Sequence, residues 1–297
     1  VRYAHTSASE RRTLPPAIAV STVAFAVDLP RDAPMGDPDA RATDAEAALW
    51  IPLVRRTREP FAGHWALPGG PTEWHETLSD TALRAVSDTV LRKPGYLEQL
   101  YAFGAIERSA HAQRLVTIAY WAQYGEQDFA APPIDTAPEE SRGAPADRPG
   151  VPLRWDDLPP APTAGPHPAR PGLAQTPDPN VAWFPADRLP PLAFDHAEIV
   201  EYALWRLRIK TEYSAVAHRF LSPTFTLAQL RRVHEAILGH AVDPANFRRQ
   251  SIASGSLIET GKFLTGSAHR PARLYRFRDE PAANSDQPQT TPRIVAE

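Results

Sequence analysis

Trp65-Ala66-Leu67-Pro68-Gly69-Gly70, then Glu76, then Arg84-Ala85-Val86-Ser87-Asp88-Thr89, is the stretch that decides how this chain is read. Its opening predicts a strand running into a Gly-Gly turn, where missing side chains let the backbone approach a ligand. Beyond the turn, Leu78, Ala82, Ala85 and Thr89 recur at intervals of three or four, which predicts a helix from about Glu76 to Leu91.

On either side lie the parts of a sheet. Residues 17–28 are apolar and rich in β-branched side chains, suiting a buried strand, and 29–46 read as a loop. Residues 47–54 predict a second strand, with Pro52 pointing to an edge or a bulge. Tyr96–Gly104 follows the helix, 114–124 predicts a strong strand, and the folded chain is expected to resume at Val181–Pro185. Between them, 126–180 collapses into Pro, Ala, Asp and Arg. Such a segment buries too little apolar surface to offset its ordering entropy and is expected to be a disordered insertion. Asp195 with Glu198 has the spacing of a capping box, and Ile199, Ala203 and Leu207 continue an apolar face toward Phe220.

The last hundred residues change character. Thr226 and Gln229 form another capping-box pattern, opening a helix with Leu227, Leu230, Val233 and Ile237 inward and an end near Gly239. Asp243-Pro244 then places an N-cap acid before a proline at the first helical position. The helix that follows, to about Ser254, carries Asn246, Arg248, Arg249 and Gln250, and a hairpin is expected over Leu257–Phe277 with Lys262, His269 and Arg270 in its middle. That order is the order of a winged helix-turn-helix. Basic residues outnumber acidic ones across 206–278, the footprint of a nucleic-acid partner. If Phe247 and Ile252 mark the buried side, then Asn246, Arg249, Gln250 and Ala253 point away from it. Asn and Gln suit adenine and Arg suits guanine in the major groove, each good bidentate pair adding ~1–3 kcal/mol of discrimination. Arg248 lies nearer the buried stripe, within reach of an acid such as Glu235, and Lys262, His269 and Arg270 suit phosphate or the minor groove.

Composition limits the alternatives. The 297 residues allow two ordinary domains. Cys is absent, which excludes a disulfide framework, a thiol nucleophile and Cys-held zinc. The net charge of -3 argues against a chain coated evenly with base, while leaving room for a local basic face. No run is apolar enough to span a bilayer and the N-terminus shows no signal-peptide pattern, so a soluble cytoplasmic protein with no membrane partner is expected.

The opening stretch resembles the Nudix box, in which Gly, five residues, Glu and seven residues precede Arg-Glu-U-x-Glu-Glu-x-Gly-U, where U is bulky and aliphatic. Gly70, Glu76, Arg84 and Val86 fall on that pattern, but the three later glutamate positions hold Ala85, Asp88 and Thr89, and the late glycine is Leu91. Nudix hydrolases use those glutamates to hold Mg²⁺ or Mn²⁺ beside a pyrophosphate, because a hard divalent ion needs several oxygen ligands. Here Glu76, Arg84 and Asp88 are vestiges. Glu76 and Asp88 are left to touch Mg²⁺ weakly, through water, so the resemblance implies a kept fold and a lost hydrolysis, with no cofactor required.

The segments Tyr96–Gly104, Leu192-Ala193-Phe194-Asp195-His196, Asp243–Arg249 and Arg270–Phe277 are similar to the NrtR family of Nudix-related transcriptional regulators. The likeness covers most of 17–125 and 181–278. It implies an α+β chain: a Nudix α/β/α sandwich with a mixed sheet over 16–195, interrupted by the 126–180 insertion, then a winged helix-turn-helix over 196–278, with tails at 1–15 and 279–297. It further implies a homodimer that binds a palindromic double-stranded operator and commonly represses genes of NAD synthesis or, in other bacteria, of sugar catabolism. An ADP-ribose-like nucleotide would bind the Nudix part, with Arg56, Trp65, Gly69, Gly70 and Arg84 as candidate effector contacts. The competing reading is an active Nudix hydrolase, acting on ADP-ribose with an accessory C-terminal domain. A third is a scaffold that engages a protein through the insertion.

Overall fold

The computed structural model describes residues 15–36, 48–106, 114–131, 178–213, 215–264 and 271–278. Its centre is β1 (Ala17–Ala26), buried over its last eight residues. Along its whole length β1 runs parallel to β6 (Leu115–Tyr124). On its other side β1 pairs antiparallel first with β4 (Gly69–Pro71), at Ala19 to Ser21, and then with β2 (Trp50–Arg55), at Ala26. β3 (Trp65–Ala66) and β7 (Val181–Pro185) both pair with β2, and β5 (Tyr96–Phe103) pairs with β6 across a bulge between Gln99 and Tyr101. The result is a mixed seven-stranded sheet.

Alternation along β1 sends successive side chains to opposite faces, and each face is covered by a helix. Val20, Ala24 and Ala26 pack with Ala82 and Val86 of helix α1 (Leu78–Val90), while Val23 and Phe25 pack with Ile199, Ala203 and Leu207 of the long helix α3 (His196–Tyr213). Fully burying side chains such as these contributes ~1.5–3 kcal/mol each. The expected α/β/α sandwich is therefore present, but the helix covering its second face, α3, lies within 196–278, the range expected to form the winged helix.

The C-terminal part has the expected helix-turn-helix and wing. Helix α4 (Leu227–Leu238) is capped at Thr226 by a reciprocal box with Gln229 and ends at Gly239, which adopts the left-handed conformation. Leu227, Leu230, Val233 and Ile237 are buried as expected. Helix α5 (Pro244–Ala253) starts at Asp243, whose side chain accepts the Asn246 N–H at 2.7 Å. Strands β8 (Leu257–Leu264) and β9 (Ala272–Phe277) make the wing, and the Phe225 backbone bonds to Tyr275 as a one-residue third strand. One continuous apolar cluster runs from Phe25 and Trp121 in the sheet, through α3, to Val233, Phe247 and Tyr275.

Several expectations need correction. Gly69 and Gly70 do not turn; they form strand β4, because after Ala66 the chain leaves its pairing with β2 and pairs with β1 instead. Gly69 lies so close to β1 that a Cβ would sit 2.2 Å from the Val20 carbonyl oxygen, whereas a Cβ on Gly70 would meet nothing within 4 Å. The box helix starts at Leu78 rather than Glu76. Thr77 caps it, accepting the Asp80 N–H while the Asp80 carboxylate accepts the Thr77 N–H. Leu91, standing where the Nudix pattern has glycine, is left-handed at φ 57°. Pro52 is on neither an outer edge nor a bulge. It faces Trp183 on β7, at a point where pairing on its other side has lapsed between Trp50 and Val54. The segment expected to be disordered from 126 begins with a short helix, α2 (Glu126–Ala130), because Asp128 accepts the Gly125 and Gly95 N–H groups and Phe129 stacks on Tyr124. The rest of that insertion to 177, the terminal tails and the wing residues His269 and Arg270 lie outside the described residues.

Candidate functional site

The vestigial box is held by an ion pair. Glu76 sits just before the Thr77 cap, and Arg84, two turns into α1, reaches back to it with Nε donating to Oε1 at 2.5 Å and Nη2 to Oε2 at 2.9 Å. The Thr81 hydroxyl donates to the same carboxylate at 2.9 Å, and the Glu73 N–H approaches at 3.4 Å. Those hydrogen bonds, Arg84 first, outweigh partial burial and hold the Glu76 carboxyl at about 2. Glu76 is thus committed to fixing the loop onto the helix.

The later positions offer little to a cation. Ala85 is buried, and the Thr89 hydroxyl folds back onto the Ala85 carbonyl at 2.8 Å. Asp88 is exposed and contributes, after Glu76 and Glu73, to keeping Arg84 charged. Among the described residues no group of three or more His, Asp or Glu side chains could hold a metal ion. The donor set therefore does not fit the several-carboxylate cage that a hard divalent ion takes.

The five candidate effector residues fall into two groups. Gly69, Gly70 and Arg84 belong to the contact between β4 and α1. Arg56 and Trp65 lie where β2 ends and its partner β3 begins. Arg56 is buried, donates from Nε to the Pro60 carbonyl at 2.8 Å, and lies 4.7 Å over the Phe194 ring. Trp65 meets Phe184 edge-on, and its carbonyl accepts the Ala193 N–H at 2.7 Å. Three residues given no role from sequence belong to this region. Phe61 and Phe194 touch edge to face at 4.9 Å, both with positive φ, a conformation that costs bulky residues ~1–3 kcal/mol. His196, buried at the start of α3, accepts the Leu67 N–H on Nδ1 at 3.0 Å. The only signal available beforehand was that Leu192–His196 is one of the segments carrying the family likeness.

This histidine is one of several clips between the sheet and the C-terminal helices. Lys210 on α3 donates to Glu98 on β5 at 2.6 Å, Tyr96 donates to the same carboxylate, and Arg219 lies 4.3 Å over the Tyr96 ring. Burial pushes the Glu98 carboxyl up, but these hydrogen bonds win and it rests below its usual range. Arg232 on α4 pairs with Asp28, just past β1, at 2.5 Å. Apolar packing and charge thus both join the sheet to the helices.

On the winged helix, α5 buries Phe247 alone. Arg248, Arg249 and Gln250 are exposed and Asn246 half-buried, as is needed for contact with a duplex. Lys262 on the wing is exposed too. Two details differ from expectation. Arg248 does not reach Glu235, whose carboxylate is taken by Arg231 at 2.7 Å and by the Val242 N–H at 2.9 Å. Ile252 is 49% exposed, so it does not mark the buried side. The Asn246 side-chain oxygen accepts from Arg249 at 2.7 Å.

Comparison with known proteins gives this geometry its relatives. Residues 217–277 match the model of the NrtR DNA-binding winged helix domain. The ADPR-responsive transcriptional repressor NtrR of Acinetobacter baylyi is 29% identical over 234 residues, 78% of this chain and 77% of that protein. The crystal structure of Shewanella oneidensis NrtR aligns with 30% identity and a TM-score of 0.58, covering 88% of this chain and 94% of that one. The same protein complexed with a 27mer DNA aligns with 28% identity and a TM-score of 0.57, covering 88% and 93%. With a Nudix-like sheet, a carboxylate-poor box and a winged helix in the same order as a relative that it matches over nearly its whole length, the chain belongs to the NrtR family.

Proposed function

We propose that this chain is a transcriptional repressor that binds double-stranded operator DNA through α5 and the wing, and that an ADP-ribose-like nucleotide bound to its Nudix part controls that binding. The observation that carries the reading is the pairing of an exposed basic helix with a box whose one well-placed glutamate is locked to Arg84. Such a site can hold a pyrophosphate beside Arg84 and the unfilled space next to Gly70 while lacking the cation cage for cutting it. The Shewanella relative with DNA and the ADPR-responsive Acinetobacter repressor support both halves.

On this reading the working form is a homodimer on a palindromic site, since a two-fold protein matches a two-fold sequence. The regulated genes are those of NAD or related metabolism. Control is by linkage: the nucleotide binds one arrangement of the dimer better and changes operator affinity by that difference, a typical coupling being ~1–3 kcal/mol. Lys210, Glu98 and His196 lie where the change would pass from sheet to helices. The protein would act in the cytoplasm; no described helix is long and apolar enough to cross a membrane. The test is a mobility-shift titration on DNA upstream of the chain's own gene at moderate salt, with and without ADP-ribose. A sequence-specific complex that ADP-ribose weakens is expected. Loss of specificity, or indifference to the nucleotide with rapid metal-dependent hydrolysis, refutes the proposal.

A further inference from the structure

Helix α5 carries an apolar side chain on the side where a solvated basic helix has no use for one. Ile252 stands three residues after Arg249, four after Arg248 and seven after Ala245, and all four are exposed. At a helical turn of ~100° per residue these positions form one stripe, with Ala245, Arg249 and Ile252 at about 140–160° from Phe247, the only buried residue of the helix. A single exposed isoleucine is ordinary. An isoleucine in line with two guanidinium groups, on the face that would enter a major groove, is a defined chemical surface. Guanidinium groups suit guanine O6 and N7 or phosphate, and a branched aliphatic group suits the one apolar feature of the groove, the thymine 5-methyl. Arg249 is also steadied by its bond to Asn246, which fixes where the neighbouring base contact falls.

We infer that Ile252 is a specificity-determining residue that packs on a thymine methyl in each operator half-site. The inference rests on the DNA-binding reading above and adds a base preference to it. Three residues of helix rise ~4.5 Å, little more than one base step, so the thymine lies one or two steps from the guanine read by Arg249.

The test uses the full-length chain and a duplex that it selects from a random-sequence library. Each thymine is replaced in turn by deoxyuridine, which removes the methyl and nothing else. Wild-type binding is expected to weaken about three- to tenfold at one thymine per half-site, as befits one buried methyl contact. Ile252→Ala should weaken binding to the unmodified duplex by a similar factor and become indifferent to uracil there. Ile252→Thr, which keeps a methyl, should retain part of the response, and Arg249→Ala should bind less tightly yet remain sensitive to uracil. If no specific duplex is selected, the DNA-binding reading itself falls. If a specific duplex is bound but no thymine is uracil-sensitive, or Ile252→Ala keeps the same sensitivity, only this inference falls. It falls likewise if Ile252→Ala alters sedimentation and leaves the uracil response intact, since Ile252 would then belong to a contact between subunits.

Discussion

Replacing Glu76 by Gln keeps the shape of the loop and removes the charge that Arg84 holds. Folding lowers this carboxyl from 4.5 to about 2, which is ~3 kcal/mol of preference for the ionised form at ~1.4 kcal/mol per pH unit. The Arg84 side chain is 32% exposed and Glu76 11%, so solvent screens part of that, and a loss of ~1.5–3 kcal/mol at pH 7 is expected. The pKa is depressed on folding. The contribution is therefore complete above about 4.5 and is lost as pH falls toward 2, with wild type and variant converging at the acid end. Urea unfolding of both proteins at pH 7, 4.5 and 3 reads the difference directly, repeated with EDTA and with Mg²⁺. The difference at pH 7 should be the same in both, because Glu76 serves Arg84 and not a cation. A variant as stable as wild type at pH 7, or a difference that appears only with Mg²⁺, refutes the reasoning.

Other perturbations separate the parts of the molecule. Gly69→Ala forces a Cβ to within 2.2 Å of the Val20 carbonyl and should destabilise by at least ~2 kcal/mol, while Gly70→Ala, with open space, should leave the melting temperature within a few degrees and change only ADP-ribose affinity. Burial lowers His234, which packs against Phe247, from 6.5 to about 4, so its stabilisation is whole above about 6.5 and lost as pH falls to 4; His234→Gln should flatten that part of the stability profile measured by circular dichroism. Arg249→Ala should reduce discrimination at one base position by ~1–3 kcal/mol in competition binding, whereas Lys262→Ala should weaken all sequences alike and lower the salt slope by about 1.

Much of the molecule was legible without coordinates. The apolar run of β1, the Thr226–Gln229 and Asp243-Pro244 caps and the basic surplus after 206 are local signals, and each is where it was expected. Cap chemistry depends on atoms three residues apart, and strand character on a side-chain alternation that belongs to the segment itself. Thr77–Asp80 has the spacing of a cap too, but the glutamate pattern points to a helix start at Glu76, two residues early.

What needed the tertiary structure is everything set by a distant partner. Gly69-Gly70 looks like a turn until a strand fifty residues upstream takes its backbone, and the tight approach of that strand then explains the glycine. The orientation of α5 was ambiguous for a similar reason. A helical period fixes angles between residues of one helix but not where the core lies, so Phe247 alone could not say that Ile252 faces out or that Glu235 was already taken by Arg231. The sequence alone determined which local shapes this chain can make, because neighbours settle those. Only packing decided which groups remain exposed to meet a nucleotide or a duplex, because burial depends on what the rest of the chain brings to the same place.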